Sequence, residues 1–160
     1  MKKLSLNTQT NIKIFGFFIL IVVILAMALT SFKKVAGTVT YYYYGSQIVF
    51  GNESGFRIAE IISNNTALTF NFWAFLMWVL LPLGAGVVGL VKFKNVKLQM
   101  AICCGCIVAS LIMFFIVPNV LLGHVNAFMG GMWVALIALV AALGLYGYGL
   151  IAAMTKGYEA

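Results

Sequence analysis

The residue types able to do chemistry are few, and most stand apart. Cys103-Cys104-Gly105-Cys106 places two thiols in a C-x-x-C spacing, the arrangement that supports dithiol–disulfide exchange. His124 is the one histidine, and the acidic residues are Glu53, Glu60 and Glu159. No Ser–His–Asp or Cys–His set can be assembled from these, and an enzyme would have almost no general acid or base. No spacing of His, Cys, Asp and Glu suits a metal. Neither a catalytic residue nor a cofactor site is assigned. The remaining conspicuous group is Tyr41-Tyr42-Tyr43-Tyr44, whose rings offer large contact areas with polar tips. With Phe50 and Phe56 it forms the candidate partner-binding set for a glycan, peptide or protein loop.

The elements that hold these residues are dominated by apolar runs. The chain of 160 residues is 64% hydrophobic and 8% charged, against about a quarter charged in soluble domains. Its mean hydropathy is +1.08, which makes lipid the matching solvent. Uninterrupted apolar stretches run from 14 to 32, 72 to 91, 98 to 117 and 132 to 153. Each is about 20 residues, enough to carry a helix across a ~30 Å hydrocarbon core. Backbone groups have no water partner there, so such runs must be helical. The fold class is an all-α membrane protein: one domain over residues 1–160, a four-helix transmembrane bundle with a small β-prone extracellular segment at 33–71. A cleaved signal reading competes for the first run, because Ala26-Met27-Ala28 suits a cleavage site. The run exceeds an ordinary signal core of about 7–15 residues, which favours a retained helix.

The net charge of +7 does not point to nucleic acid. The lysines cluster at the ends of apolar runs, not along one face among aromatics. Under the positive-inside rule, Lys2, Lys3, Lys13, Lys92, Lys94, Lys97 and Lys156 belong to the cytoplasm, against Lys33, Lys34 and Arg57 outside. Both termini are expected in the cytoplasm, with the protein multi-pass in the cell membrane. Residues 92–97 form the cytoplasmic hairpin between the second and third helices.

Outside, Val35 to Tyr44 reads as a strand, Gly45-Ser46 as a turn, and Gln47 to Phe50 as a second strand. Gly51 to Gly55 is a further turn cluster, and Phe56 to Ile62 extends as a strand or lies as a short helix on the membrane. In one continuous strand, Tyr41 and Tyr43 face one way and Tyr42 and Tyr44 the other. A strand at headgroup level would carry the tyrosines equally well. Asn52-Glu53-Ser54 and Asn64-Asn65-Thr66 match the N-glycosylation sequon.

Within the helices, small residues form stripes. Ala101, Gly105 and Ala109 recur at four-residue intervals. Gly131, Ala135, Ala138, Ala142, Leu145, Gly149 and Ala152 alternate four and three, and Ala85 and Gly89 add a shorter pair. Such stripes let helix backbones approach closely in lipid. They are candidate helix-packing positions, with one stripe able to serve a partner. Pro82 falls mid-span and predicts a kink or hinge; Pro118 predicts the end of the third helix. As delimited, the four runs contain no Asp, Glu, Lys, Arg or His, which argues against a pump.

Three resemblances follow from these features. Four spans plus Cys103 and Cys106 are similar to quinone-linked thiol oxidases of the disulfide-forming and vitamin K epoxide reductase type, which implies membrane thiol redox chemistry. Those enzymes keep the pair near the outer face with further loop cysteines. Here the pair lies about six residues, ~9 Å, from the cytoplasmic end, and the outer segment has none. One helix, a β-prone segment and three closely spaced helices resemble the claudin-type layout, without its W-x-G-L-W-x-x-C-C signature. The Lys-rich start, Ile48-Val49-Phe50-Gly51, Phe70-Asn71-Phe72 and the Lys-rich hairpin look like small uncharacterised four-span proteins of Gram-positive bacteria. The resulting expectation is a non-enzymatic structural or accessory subunit of the envelope. Its partners would be the bilayer and another membrane or envelope protein, or a second copy. A small oligomeric channel or transporter is the alternative, and thiol redox a remote one.

Overall fold

The computed structural model of the chain describes residues 5–51, 69–123 and 125–155. Glu53, Glu60, Glu159, Phe56, Arg57, His124, both sequons and the terminal lysines Lys2, Lys3 and Lys156 lie outside the described residues. Helix α1 spans Leu6–Ala26, α3 Phe72–Leu90, α4 Val96–Leu122 and α5 Gly130–Thr155. All four are long and apolar enough to cross a membrane. Between α1 and α3 come strand β1 (Thr30–Ala36), strand β2 (Val39–Tyr44) and the short helix α2 (Gly45–Phe50). Strand β3 (Ala127–Phe128) precedes α5.

The first helix is displaced from its apolar run. It starts eight residues before Ile14, with the Ser5 hydroxyl capping the Thr8 N–H, and stops at Ala26 instead of Phe32. Successive i→i−3 bonds from Met27, Ala28 and Leu29 tighten its end. The residues from Thr30 to Phe32, expected to be helical, begin β1 instead. Hydropathy cannot see this boundary, because Phe32 is as buried in the sheet as it would be in a span. The shift brings Lys13 inside the first spanning helix, and α4 takes in Lys97 at its second position. Two lysines therefore occupy spans expected to hold no charge. Lys13 is partly exposed, and its long stem allows the ammonium to reach toward polar surroundings.

The sheet has the order β2-β1-β3, antiparallel throughout. Its hairpin turns at Gly37-Thr38, not Gly45-Ser46, and Gly37 takes φ +63°, which suits a two-residue turn matching strand twist. Val35–Tyr44 is thus the tip and second arm of a hairpin, not one strand. Gln47–Phe50, expected as a strand, is helical. The Gln47 Oε1 accepts the Tyr44 N–H at 3.1 Å, Ser46 N–H bonds the Met27 carbonyl at 2.8 Å, and Asn71 N–H bonds Val49 at 2.9 Å. These bonds lay α2 across one end of the bundle, with residues from Gly45 to Val49 buried.

Helix α3 is broken internally. Its first turn, Phe72–Phe75, passes into a π segment, Leu76–Leu80, and returns to α geometry at Leu81–Leu90. The Leu81 N–H reaches back five residues to Leu76, and in that register the next donor, at Pro82, does not exist. The Met77 carbonyl is met instead by the Ser110 hydroxyl of α4 at 2.8 Å. Pro82 is thus absorbed by a change of helical register that a neighbouring helix completes. Pro118 does not end α4, which runs on to Leu122 and stops at Gly123, φ +76°. The Asn119 amide bonds the Phe115 carbonyl at 2.8 Å, and the Lys34 ammonium bonds the terminal Leu122 carbonyl, where a cation also suits the helix dipole.

Gly131 of α5 lies close against the end of α1 and the start of β1. A Cβ at Gly131 would press on Ser31 Oγ and stand 2.8 Å from the Ala26 carbonyl oxygen and 2.9 Å from that of Leu29. A Cβ at Gly105 would meet nothing within 4 Å. Gly131→Ala is therefore expected to cost about 1–3 kcal/mol through overpacking against backbone. Gly105→Ala should be neutral or stabilising by up to about 1 kcal/mol through helix propensity. Thermal unfolding of the two variants in detergent checks the contrast.

Candidate functional site

The tyrosine run does not present its rings as two accessible faces. Thr30 pairs Tyr44 while Phe32 pairs Tyr43, so Ser31 is an extra residue in β1 and the register slips there. A bulge of this kind bends its own strand, here β1, and increases the local twist. Tyr43 is 0% and Tyr44 2% exposed, both inside the core, whereas Tyr41 and Tyr42 are half-buried. Tyr43 and Tyr44 are therefore not presented to a partner. Phe50 is also half-buried and meets Phe75 edge-on at 6.3 Å. Phe56 falls outside the described residues.

What the sheet end presents is the hairpin tip. Every residue from Val35 to Thr40 is exposed, and none is charged. Behind the tip, Val35 N–H bonds Asn126 Oδ1 at 2.6 Å and Asn126 N–H bonds the Lys33 carbonyl at 2.9 Å. Met129 N–H bonds Ser31 at 2.8 Å, so β3 ties the hairpin to the start of α5. Phe32 packs on Phe128, which in turn meets Phe115 and Trp133. Exposed Phe70, Phe72, Trp73 and Trp133 lie at this same end, where α3 and α5 begin. Large aromatics so placed match an interfacial belt.

The small-residue positions divide. Gly131, Ala135, Ala138, Ala142, Gly149 and Ala152 of α5 are buried, as are Ala85 and Gly89 of α3. Leu145 is partly exposed. On α4 the face turned inward is Gln99, Cys103, Ile107, Ser110 and Phe114, while Ala101 and Gly105 are exposed and Ala109 is half-buried. The stripe on α4 is therefore left on the outside of the bundle.

That inward face of α4 carries polar groups which composition alone did not single out. The Gln99 amide nitrogen lies 2.7 Å from the Val88 carbonyl, 2.9 Å from Gly89 and 2.7 Å from Val91, closing the end of α3. Cys103 donates its thiol to the Ala85 carbonyl at 3.2 Å. Cys103, Cys104 and Cys106 are all free thiols. Among the described residues no group of three or more His, Cys, Asp or Glu could hold a metal ion. The available signal for this seam was spacing: Gln99, Cys103 and Ser110 fall on one helical face with Ile107 and Phe114.

Compared with protein-family models, curated proteins and solved structures, the chain matches none.

Substitution separates core from surface at the tyrosines. Tyr43→Ala is expected to lose about 3–5 kcal/mol, the range for emptying a large aromatic site in a core. Tyr42→Ala should cost well under half of that, as read by chemical or thermal unfolding in detergent.

Proposed function

We propose that the protein is a multi-pass protein of the cell membrane that serves as a non-enzymatic structural or accessory subunit. It meets a membrane or envelope partner through the tip of the β1–β2 hairpin. The observation that carries this reading is the run of exposed, uncharged residues from Val35 to Thr40 on a base buried around Phe32 and Tyr43. Among the described residues β2 is an edge strand, so the backbone at Val39 and Thr40 offers a template for an added strand. Valine, threonine and alanine suit such pairing because they present little side-chain entropy and no charge to desolvate.

The sheet end faces outward and both termini face the cytoplasm. Support comes from Lys92, Lys94 and Lys97 gathered at the opposite end. Lys34, which counts against this orientation by charge alone, is held by the carbonyl end of α4 and has a structural reason to be where it is.

Two measurements test the reading. With Cys103, Cys104 and Cys106 replaced, Thr38→Cys should react with a membrane-impermeant maleimide in intact cells, and Asn95→Cys only after permeabilisation. The reverse pattern overturns the orientation. The double variant Val35→Lys, Val39→Lys should fold with an unchanged melting temperature yet lose at least tenfold of the partner, or second copy, captured by cross-linking. Undiminished capture overturns the hairpin as the contact surface.

A further inference from the structure

We infer that the groove between the start of α3 and the end of α4 binds one anionic phospholipid. Its phosphate is held at Lys34, and an acyl chain lies along α4 toward Met113. The inference rests on reading the chain as a membrane protein and is separate from the hairpin contact. The groove has a volume of about 320 Å³. Buried Val117 forms its floor, exposed Trp73 stands on the α3 side, and Met113, Ile116, Val120 and Leu121 follow along α4. From Leu121 down to Met113 is about 12 Å of helix at ~1.5 Å per residue, a run suited to a stretched hydrocarbon chain.

The walls narrow the kind of occupant. None of the lining residues is Gly, Ala or Ser, whereas close helix docking in lipid uses small residues. The exposed small residues of α4, Ala101 and Gly105, lie nearer its other end. A flexible, unbranched chain fills a groove with bulky, uneven walls, which a rigid helix would bridge without entering. Trp73, with exposed Phe70 and Phe72 beside it, puts the upper end of the groove among aromatics of the kind that mark headgroup depth. Its lower end then lies at the depth of the acyl chains.

Charge selects the headgroup. Leu122, the residue after Leu121, gives its carbonyl oxygen to the Lys34 ammonium. Adjacent Cα atoms are about 3.8 Å apart, so the ammonium stands within about 10 Å of the groove's upper end. An ammonium carries more donors than the one bonded to Leu122, and the others can serve phosphate oxygens. Lys33 and Lys34 are the charged side chains at this end among the described residues, and both are cationic. On the α3 side, Asn71 lines the groove and its Oδ1 caps the Ala74 N–H at 3.0 Å, which leaves the amide N–H groups for an ester or phosphate oxygen. Two further furrows, one between α1 and α5 and one along α5, are lined by apolar residues alone. They offer a seat for a tail with no polar residue at its end.

Brominated acyl chains quench tryptophan on contact, and the exposed tryptophans make the comparison internal. Trp133→Phe leaves Trp73 as the lipid-exposed reporter at the groove, and Trp73→Phe leaves Trp133 of α5 as the reporter outside it. Trp78 is fully buried and common to both. Each variant is placed in phosphatidylcholine vesicles holding a small, equal fraction of brominated phosphatidylglycerol or brominated phosphatidylcholine. Trp73 should be quenched about fivefold more by the anionic lipid, the preference that one lysine near a headgroup supplies. Trp133 should be quenched equally by both. Lys34→Gln, which can still bond the Leu122 carbonyl, should abolish the preference at Trp73, and Lys34→Arg should keep it. The comparison of Trp73 with Trp133 decides the matter even if Lys34→Gln does not fold. Equal quenching of Trp73 by both lipids, the same preference at Trp133, or a preference that survives Lys34→Gln overturns the site. So does an unquenched Trp73, the result of a protein segment or second copy seated in the groove. Failure to co-float with the vesicles overturns the membrane reading as well, so the two failures are told apart.

Discussion

In an apolar solvent, each backbone carbonyl and N–H must find its partner inside the protein. Helix α3 is the element that breaks this rule, and α4 is the element that repairs it. The π segment and Pro82 leave the Met77 carbonyl to Ser110; the carbonyl of Ala85 receives the Cys103 thiol; the last turn, through Val88, Gly89 and Val91, is closed by Gln99. The donors sit on one face of α4 in the order in which an antiparallel neighbour presents its acceptors. In water each of these bonds would contribute about 1 kcal/mol net, because solvent would serve as well. In lipid the alternative would be an unpaired carbonyl, so there these bonds would tie α3 to α4 more strongly.

The same constraint explains the cap at the sheet end. A chain leaving α1 has carbonyls and N–H groups to place. It does so by turning at once into β1, pairing with β2, and then laying α2 over the bundle. The bonds from Ser46 to Met27 and from Asn71 to Val49 fix that cover to both α1 and α3. Because Trp78 packs on Phe114 at 4.5 Å and a Cβ at Gly45 would stand 2.8 Å from its ring, cap and bundle share one core. The exposed hairpin tip, residues 35–40, extends from this shared core.

The spanning helices were legible because their signal is summed over about 20 residues, and local propensity hardly enters. Single-residue features fared differently. Pro118 reads as a stop, yet Asn119 and Lys34 satisfy the carbonyls around it and the helix continues for another turn. Phe32 reads as membrane and is a strand residue, since burial under a sheet and burial in lipid leave the same composition. The tyrosine run reads as a strand with two accessible faces, yet Tyr43 and Tyr44 are both buried where β2 pairs with β1 and leads straight into α2. Their burial depends on elements elsewhere in the chain, so inspection of residues 41–44 alone could not have found it.

The polar seam was hidden for a related reason. Gln99, Cys103 and Ser110 look unremarkable one at a time, and the thiols draw attention for their redox chemistry. Their placement gives Cys103 a simpler contact, its thiol donating to the Ala85 carbonyl of α3. Exposure then divides the C-x-x-C pair: Cys103 faces α3 while Cys106, one turn on, is partly exposed.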